Sequence, residues 1–158
     1  MTFREKCAEC NGDLVTKGYT HSEKVGRYTV TDRATMVPQC VNCGAPRLSL
    51  DELEKYQLFA AKTVLCENKL EGSVVRYARK ALGLTQKELG LLLDYQHETI
   101  SKWENEKEPV TRAAASALIG LLCRVIDGEK PEEMVEKAKG TGALENTDNE
   151  IVVFRRAI

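Results

Sequence analysis

The chain has 158 residues, of which 42% are hydrophobic and 30% charged, a composition typical of a globular protein with a core rather than of a disordered one. A formal net charge of −1 gives no global attraction to nucleic acid, so DNA binding would need a local patch. The first ten residues offer no apolar signal and no uncharged run reaches the roughly 20 residues of a membrane span, so we expect a cytoplasmic protein without a membrane role.

Residues 1–47 contain four of the six cysteines, arranged as two C-x-x-C pairs. Each pair presents two thiolates from one tight turn, and four thiolates complete a tetrahedral zinc shell with no open position for water. We therefore predict a zinc-binding domain over residues 1–47 in which Zn²⁺ is structural, although iron in a rubredoxin-like site fits the same donors. The predicted ligands are Cys7, Cys10, Cys40 and Cys43.

The 29 residues between the two pairs carry turn signals at Asn11-Gly12, Lys17-Gly18 and Val25-Gly26. A stretch rich in Tyr, Thr and Val follows from Arg27 to Val37, which predicts short strands around the metal. Glycine comes one place later after the first pair than after the second, which predicts a slightly irregular first turn.

Residues 48–72 are predicted as a connecting helix, because Ser49 and Glu52 form a capping-box pattern ahead of apolar residues at helical spacing. Ser73 can cap a new helix, and a helical domain is predicted over residues 73–126. Residues 127–158 form a C-terminal tail with a net negative charge.

Within the helical domain, Thr85 opens a short helix with a second capping-box pattern, and further helices are predicted at Gln96–Asn105 and Thr111–Ile126. In the tail we expect one or two helical turns at 131–138 and a short strand at 151–154.

The helix predicted at Gln96–Asn105 has two contrasting faces. Ile100 and Trp103 lie three residues apart and supply a buried side, as a helix in the DNA major groove requires. Polar residues project on the other side and form the predicted reading face, namely Gln96, His97, Glu98, Ser101 and Lys102.

Residues 84–106, LTQKELGLLLDYQHETISKWENE, resemble the Xre family of phage-repressor-like helix-turn-helix proteins. The resemblance implies that His97, Glu98 and Lys102 read bases, that Gln86 and Asn105 contact phosphates, and that Arg79 pairs with Glu104. Lys102 would favour guanine, and Glu98 could accept from a cytosine amino group. Glycine is usual in the family where this chain has Asp94 and Glu106, so we expect a looser turn and helix exit.

The order of the modules resembles the MqsA family of type II antitoxins and related CxxCG/helix-turn-helix regulators over residues 5–126. The implied fold is mainly α-helical with a small β-rich zinc module, a connecting helix and a five-helix Xre-like domain. The implied function is a homodimeric repressor on a palindromic operator that also neutralises a ribonuclease toxin. Residues 27–37 would then lie near the toxin, and residues 111–126 would form part of the dimer seam.

Two other classes of function fit the same residues. One is a solitary regulator of a phage or mobile element that meets no toxin, and the other is an iron-binding electron-transfer protein. No pair of residues resembles a nucleophile and its base, so we expect no enzymatic activity.

Overall fold

The structure, a computed structural model, describes residues 6–140 as an antiparallel hairpin followed by six helices. As predicted, the fold is mainly helical with a small β-rich N-terminal module. The predicted strand at 151–154 and the rest of the tail beyond Gly140 lie outside the described residues. The elements are β1 (Leu14–Val25), β2 (Tyr28–Cys40), α1 (Leu50–Cys66), α2 (Gly72–Ala81), α3 (Gln86–Leu93), α4 (His97–Glu104), α5 (Arg112–Ile126) and α6 (Pro131–Gly140).

The β module is one long hairpin, so the prediction of several short strands was wrong. Its register runs from Leu14 opposite Cys40 at the open end to Val25 opposite Tyr28 at the turn. Gly26 begins the two-residue turn with φ +60°, a left-handed conformation that favours glycine. The Lys17-Gly18 pair, predicted as a turn, lies inside β1.

One face of β1 packs against the helices through every second residue. The ring of His21 stacks on Tyr56 of α1 with 4.3 Å between centroids. Tyr77 of α2 donates a hydrogen bond to Glu23 at 2.8 Å, and Val25 is fully buried in the main core. The hairpin and the helices therefore share one core near the turn.

Helix α1 begins with the predicted capping box: the Ser49 hydroxyl accepts from the Glu52 amide, and the Glu52 carboxylate accepts from the Ser49 amide. Its inner face buries Leu58, Ala61 and Leu65 in the core that it shares with α2 and α5. The predicted connecting helix is thus also a core element of the helical domain.

Helix α2 begins at Gly72, with Glu71 as its N-cap and no capping side chain. The prediction that Ser73 caps this helix was therefore wrong. A Cβ on Gly26 would lie 2.5 Å from the Ser73 hydroxyl, so Ser73 contacts the hairpin turn. The helix therefore begins two residues earlier than a Ser73 cap predicts, and its first residue, Gly72, has no side chain that would collide with α4.

The remaining helices agree with the sequence in their starts. Thr85 and Glu88 form the predicted capping box of α3, and the Thr111 hydroxyl caps α5. Helix α6 is longer than predicted, and it buries Met134 and Val135 against the core beside α3. No helix within residues 6–140 is long and apolar enough to cross a membrane.

Candidate functional site

The four predicted metal ligands converge at the open end of the hairpin. The Sγ atoms of Cys7, Cys10, Cys40 and Cys43 all lie within 4.8 Å of one another. The closest separations are 3.4 Å between Cys10 and Cys40 and 3.7 Å between Cys7 and Cys43. A tetrahedron with zinc–sulfur bonds of about 2.3 Å has edges of roughly 3.8 Å, so the cluster has the size that one metal ion requires.

The two cysteine turns, called the first knuckle (residues 7–12) and the second knuckle (residues 40–45), have the same backbone hydrogen bonds. In the first, the Asn11 amide donates to the Cys7 carbonyl at 2.9 Å; in the second, the Gly44 amide donates to the Cys40 carbonyl at 3.0 Å. Asn11 and Gly44 both have positive φ, at 57° and 73°. Asparagine tolerates this conformation, so the first knuckle is regular and the predicted irregularity is wrong.

Gly12 has a different role from that of a turn glycine. It is buried, and a Cβ at this position would lie 2.9 Å from Cys40 Sγ and 2.7 Å from the Asn42 side chain. The glycine therefore lets the first knuckle approach a sulfur of the second, which brings the two pairs of donors together.

The backbone around the sulfurs favours thiolates. Amides of Cys43 and Asn42 point at Cys40 Sγ and lower the pKa of that thiol to about 6. The Gly12 amide acts the same way on Cys10, but the neighbouring thiols and burial outweigh it and raise the pKa of Cys10 to about 12. Four adjacent thiolates need a cation to offset their repulsion, so the donor set fits a bound metal ion.

The segment from α3 to α4 has the geometry of a helix-turn-helix. Asp94 ends α3 in the left-handed conformation with φ 59°, and the Tyr95 amide returns to the Gly90 carbonyl at 2.9 Å. A Cβ on Gly90 would lie 2.5 Å from the Tyr95 carbonyl oxygen. Glycine at position 90 is thus what allows the turn to fold back closely.

Helix α4 has the two predicted faces. Ile100 is fully buried and Trp103 is 3% exposed, with the indole edge-on to Tyr95 at 4.8 Å. Ser101 is half-buried on the other side, where the predicted reading residues Gln96, His97, Glu98 and Lys102 and the predicted phosphate ligand Asn105 are exposed.

Two ionisable side chains of this exposed face lie beside carboxylates. His97 Nδ1 lies 3.1 Å from a Glu98 carboxylate oxygen, and Lys102 Nζ lies 2.6 Å from the Glu108 carboxylate in the following loop. Both partners of the Lys102–Glu108 pair are about half exposed, so the pair contributes little to stability. Lys102 can therefore leave Glu108 at little cost.

Arg79 and Glu104 form the predicted ion pair, on the side of α4 opposite the predicted reading residues. Arg79 Nε and Nη2 donate to the two Glu104 carboxylate oxygens at 2.6 and 3.0 Å, and the Glu104 side chain is only 1% exposed. Gln86, predicted as a phosphate ligand, donates to the same carboxylate at 2.9 Å. The pair therefore connects α2, α3 and α4.

Asn105 is held at the end of α4, and Arg76 is a residue that the sequence reasoning did not single out. Asn105 Nδ2 donates to the Ser101 carbonyl at 2.8 Å, and its Oδ1 accepts from Arg76 at 3.1 Å. Arg76 also donates to the Glu104 carbonyl at 2.6 Å while remaining 44% exposed. Arg76 lies three residues before Arg79 on the same helix face, and this spacing could have indicated from the sequence that Arg76 also contacts the end of α4.

The expected loosening at the two usual glycine positions is wrong. Asp94 and Glu106 both adopt the left-handed conformation that glycine would adopt. After α4, the Glu106 amide donates to the Trp103 carbonyl at 2.9 Å and the Lys107 amide to the Lys102 carbonyl at 2.8 Å. These two bonds form a Schellman motif, which closes the helix end tightly with Glu106 at its left-handed position.

Residues 75–122 match the helix-turn-helix family. The matched segment runs from within α2 to within α5 and includes all of α3 and α4. No curated protein matches the chain. The family match and the two-faced α4 support a DNA-binding transcriptional regulator that also carries a four-cysteine site for a metal ion.

Proposed function

We propose that this DNA-binding protein is a cytoplasmic, homodimeric repressor that binds a palindromic operator and acts as the antitoxin of a ribonuclease toxin. The observation that carries the DNA-binding part is the exposed polar face of α4 opposite the buried Ile100 and Trp103. The order of a four-cysteine module and a helix-turn-helix, shared with the MqsA-type family, supports the antitoxin part.

In the proposed complex α4 lies in the major groove. Lys102 leaves Glu108 and donates to guanine, while Glu98 accepts from a cytosine amino group. Asn105 and Gln86 contact backbone phosphates, and we add Arg76 to these contacts because it is exposed and adjacent to Asn105. The ion pair of Arg79 with Glu104 is structural and keeps α4 in place.

A homodimer would place two copies of α4 about 34 Å apart, on half-sites one helical turn from each other. The exposed side of α5 supports a dimer interface at this helix, because it presents small residues that let two helices approach closely. These residues are Ala113, Ser116, Ala117 and Gly120, and the space around Gly120 is open.

The N-terminal module is the proposed toxin-binding part, with a structural Zn²⁺ at its cysteines. Five of the six large hydrophobic residues that are exposed within residues 6–140 belong to the hairpin, the knuckles or α1. Met36 and Phe59 are 60% and 50% exposed, and Phe59 lines a groove of about 330 Å³ between the hairpin and the helices. Such a concentration of apolar surface is typical of a protein-binding site.

Selection from a pool of random duplexes tests the central proposal. Metal-loaded protein should enrich one inverted-repeat sequence, and light scattering of the complex should give two chains per duplex. Recovery of random sequence only would reject the repressor. Co-purification with the product of an adjacent gene tests the antitoxin role, and metal analysis of the purified protein distinguishes zinc from iron.

A further inference from the structure

We propose that the turn of the N-terminal hairpin, residues 25–28, positions the recognition helix α4 by pressing on the first turn of α2. This inference rests on the proposed DNA-binding function, and it assigns part of the DNA-reading machinery to a segment outside the helix-turn-helix family match. In this arrangement the hairpin turn acts on the reading face through α2.

The first contact joins the hairpin turn to α2. Val25 is fully buried in the helical core, and Gly26 lies so close to α2 that a Cβ there would be 2.5 Å from the Ser73 hydroxyl. The Arg27 guanidinium and the Tyr28 hydroxyl both bond to the Glu71 carboxylate, the side chain of the α2 N-cap. The turn is thus held by packing and by charge.

The second contact joins the same turn of α2 to the end of α4. A Cβ on Gly72 would lie 1.9 Å from the Trp103 carbonyl oxygen, a collision with backbone that no side-chain movement could relieve. One turn further along α2, Arg76 donates to the Glu104 carbonyl at 2.6 Å and to Asn105 at 3.1 Å.

These two contacts lie on neighbouring residues, since Ser73 meets the hairpin and Gly72 meets α4. Both are contacts of backbone or short side chains, which transmit a displacement because they have no flexible atoms to absorb it. A small outward movement of the hairpin turn would therefore shift the N-terminus of α2, and with it Trp103 and Asn105. The hairpin can change DNA reading in this way without contacting DNA.

The test compares Gly26→Ala with Gly18→Ala, two identical changes in the same hairpin. Gly26 has positive φ and meets Ser73, whereas a Cβ on Gly18 has nothing within 4 Å. Trp103 is the chain's single tryptophan and is buried, so its emission reports on the end of α4 directly. We expect Gly26→Ala to shift this emission and to weaken binding to the selected duplex roughly three- to thirtyfold, which is more than it weakens binding to random sequence.

Gly18→Ala should leave emission and both affinities as in the parent. Adding Ser73→Ala to Gly26→Ala removes the hydroxyl that the new methyl meets and should restore part of the specific affinity. If Gly26→Ala does not fold, Tyr77→Phe releases Glu23 of the hairpin without adding atoms and should show the same loss of specificity to a smaller degree.

A Gly26→Ala protein with parental emission and a parental ratio of specific to random binding would overturn the inference. If the parent itself prefers no duplex, the proposed function fails, and the Trp103 emission alone then decides whether the hairpin turn moves α4.

Discussion

Replacing Glu104 with Gln tests how strongly the buried ion pair holds the helix-turn-helix together. The Glu104 side chain is 1% exposed and receives both Arg79 hydrogen bonds, so the neutral amide would leave a guanidinium that is only 14% exposed without its counter-charge. Removing one partner of such a pair costs about 3 kcal/mol, which corresponds to a fall in melting temperature of roughly 10 °C for a chain of this size.

The assay is urea unfolding followed by circular dichroism, with Glu98→Gln as the matched control. Glu98 lies on the same helix with its side chain 63% exposed, so its replacement should change the free energy of unfolding by less than about 0.5 kcal/mol. A decrease in the free energy of unfolding of less than about 1 kcal/mol for Glu104→Gln would refute the reasoning. It would mean that the glutamine amide and solvent stabilise the Arg79 guanidinium as well as the carboxylate does.

The pH dependence of the same comparison has a defined sign. Burial alone raises the pKa of Glu104, but the hydrogen bonds and charges of Arg79, Gln86 and Arg76 outweigh it and leave this pKa below its ordinary value. The contribution of the carboxylate to stability is therefore complete above the unfolded pKa of about 4.3 and is lost as pH falls through the folded pKa. The difference between parent and Glu104→Gln should shrink over that range of pH.

Lys102→Ala should weaken binding to the selected duplex by about 1–3 kcal/mol, measured by fluorescence anisotropy at fixed salt, and should leave the melting temperature unchanged. Equal affinity of mutant and parent would show that Lys102 does not read bases. Glu106→Gly should raise the free energy of unfolding by about 1 kcal/mol, since glycine adopts φ +57° without strain; a decrease in denaturation experiments would contradict the assigned Schellman motif. Gly12→Ala should lower zinc affinity in competition with a chromophoric chelator, because its methyl would meet Cys40 Sγ, whereas Gly18→Ala should not. Chelation should abolish the amide protection of both knuckles first and leave that of the hairpin turn; simultaneous loss would show that the metal alone holds the hairpin.

The sequence was sufficient wherever the determinants were local. The two C-x-x-C pairs predicted the four-cysteine cluster because each knuckle is a short turn that fixes its own two sulfurs. The capping boxes at Ser49 and Thr85 predicted the starts of α1 and α3 for the same reason, since each is completed within four residues.

The length of the hairpin and its docking could not be read from the sequence. The face of β1 that packs on the helices carries His21 and Glu23 as well as Val25, so the strand lacks the alternation of apolar and polar residues that marks a half-buried strand. Those polar residues are satisfied by Tyr56 and Tyr77, which lie 35 and 54 positions away in the chain. Pairing over such separations leaves no local signal.

The positions of glycine misled the sequence reasoning in both modules for one physical reason. Asn11, Asp94 and Glu106 occupy left-handed positions without being glycine, while Gly12 and Gly90 are glycine because another group approaches them closely. A glycine in a sequence can indicate a left-handed backbone or the close approach of another group, and only the neighbouring atoms in space distinguish these two reasons.

The hairpin is stabilised at opposite ends by two different kinds of interaction. A two-stranded hairpin is marginal by itself in water, and β1 has 12 residues, which spans about 40 Å at 3.3 Å per residue. The cysteines hold the open end, while Val25 and the bonds to Glu71 hold the turn in the helical core. The contacts of the turn do not depend on the metal, so loss of metal should separate the two strands from the knuckles toward the turn. The position of α4 should change only if this separation extends beyond the stacked rings of His21 and Tyr56. In the proposed arrangement, metal loading and DNA reading are therefore coupled only as strongly as the middle of the hairpin is stable.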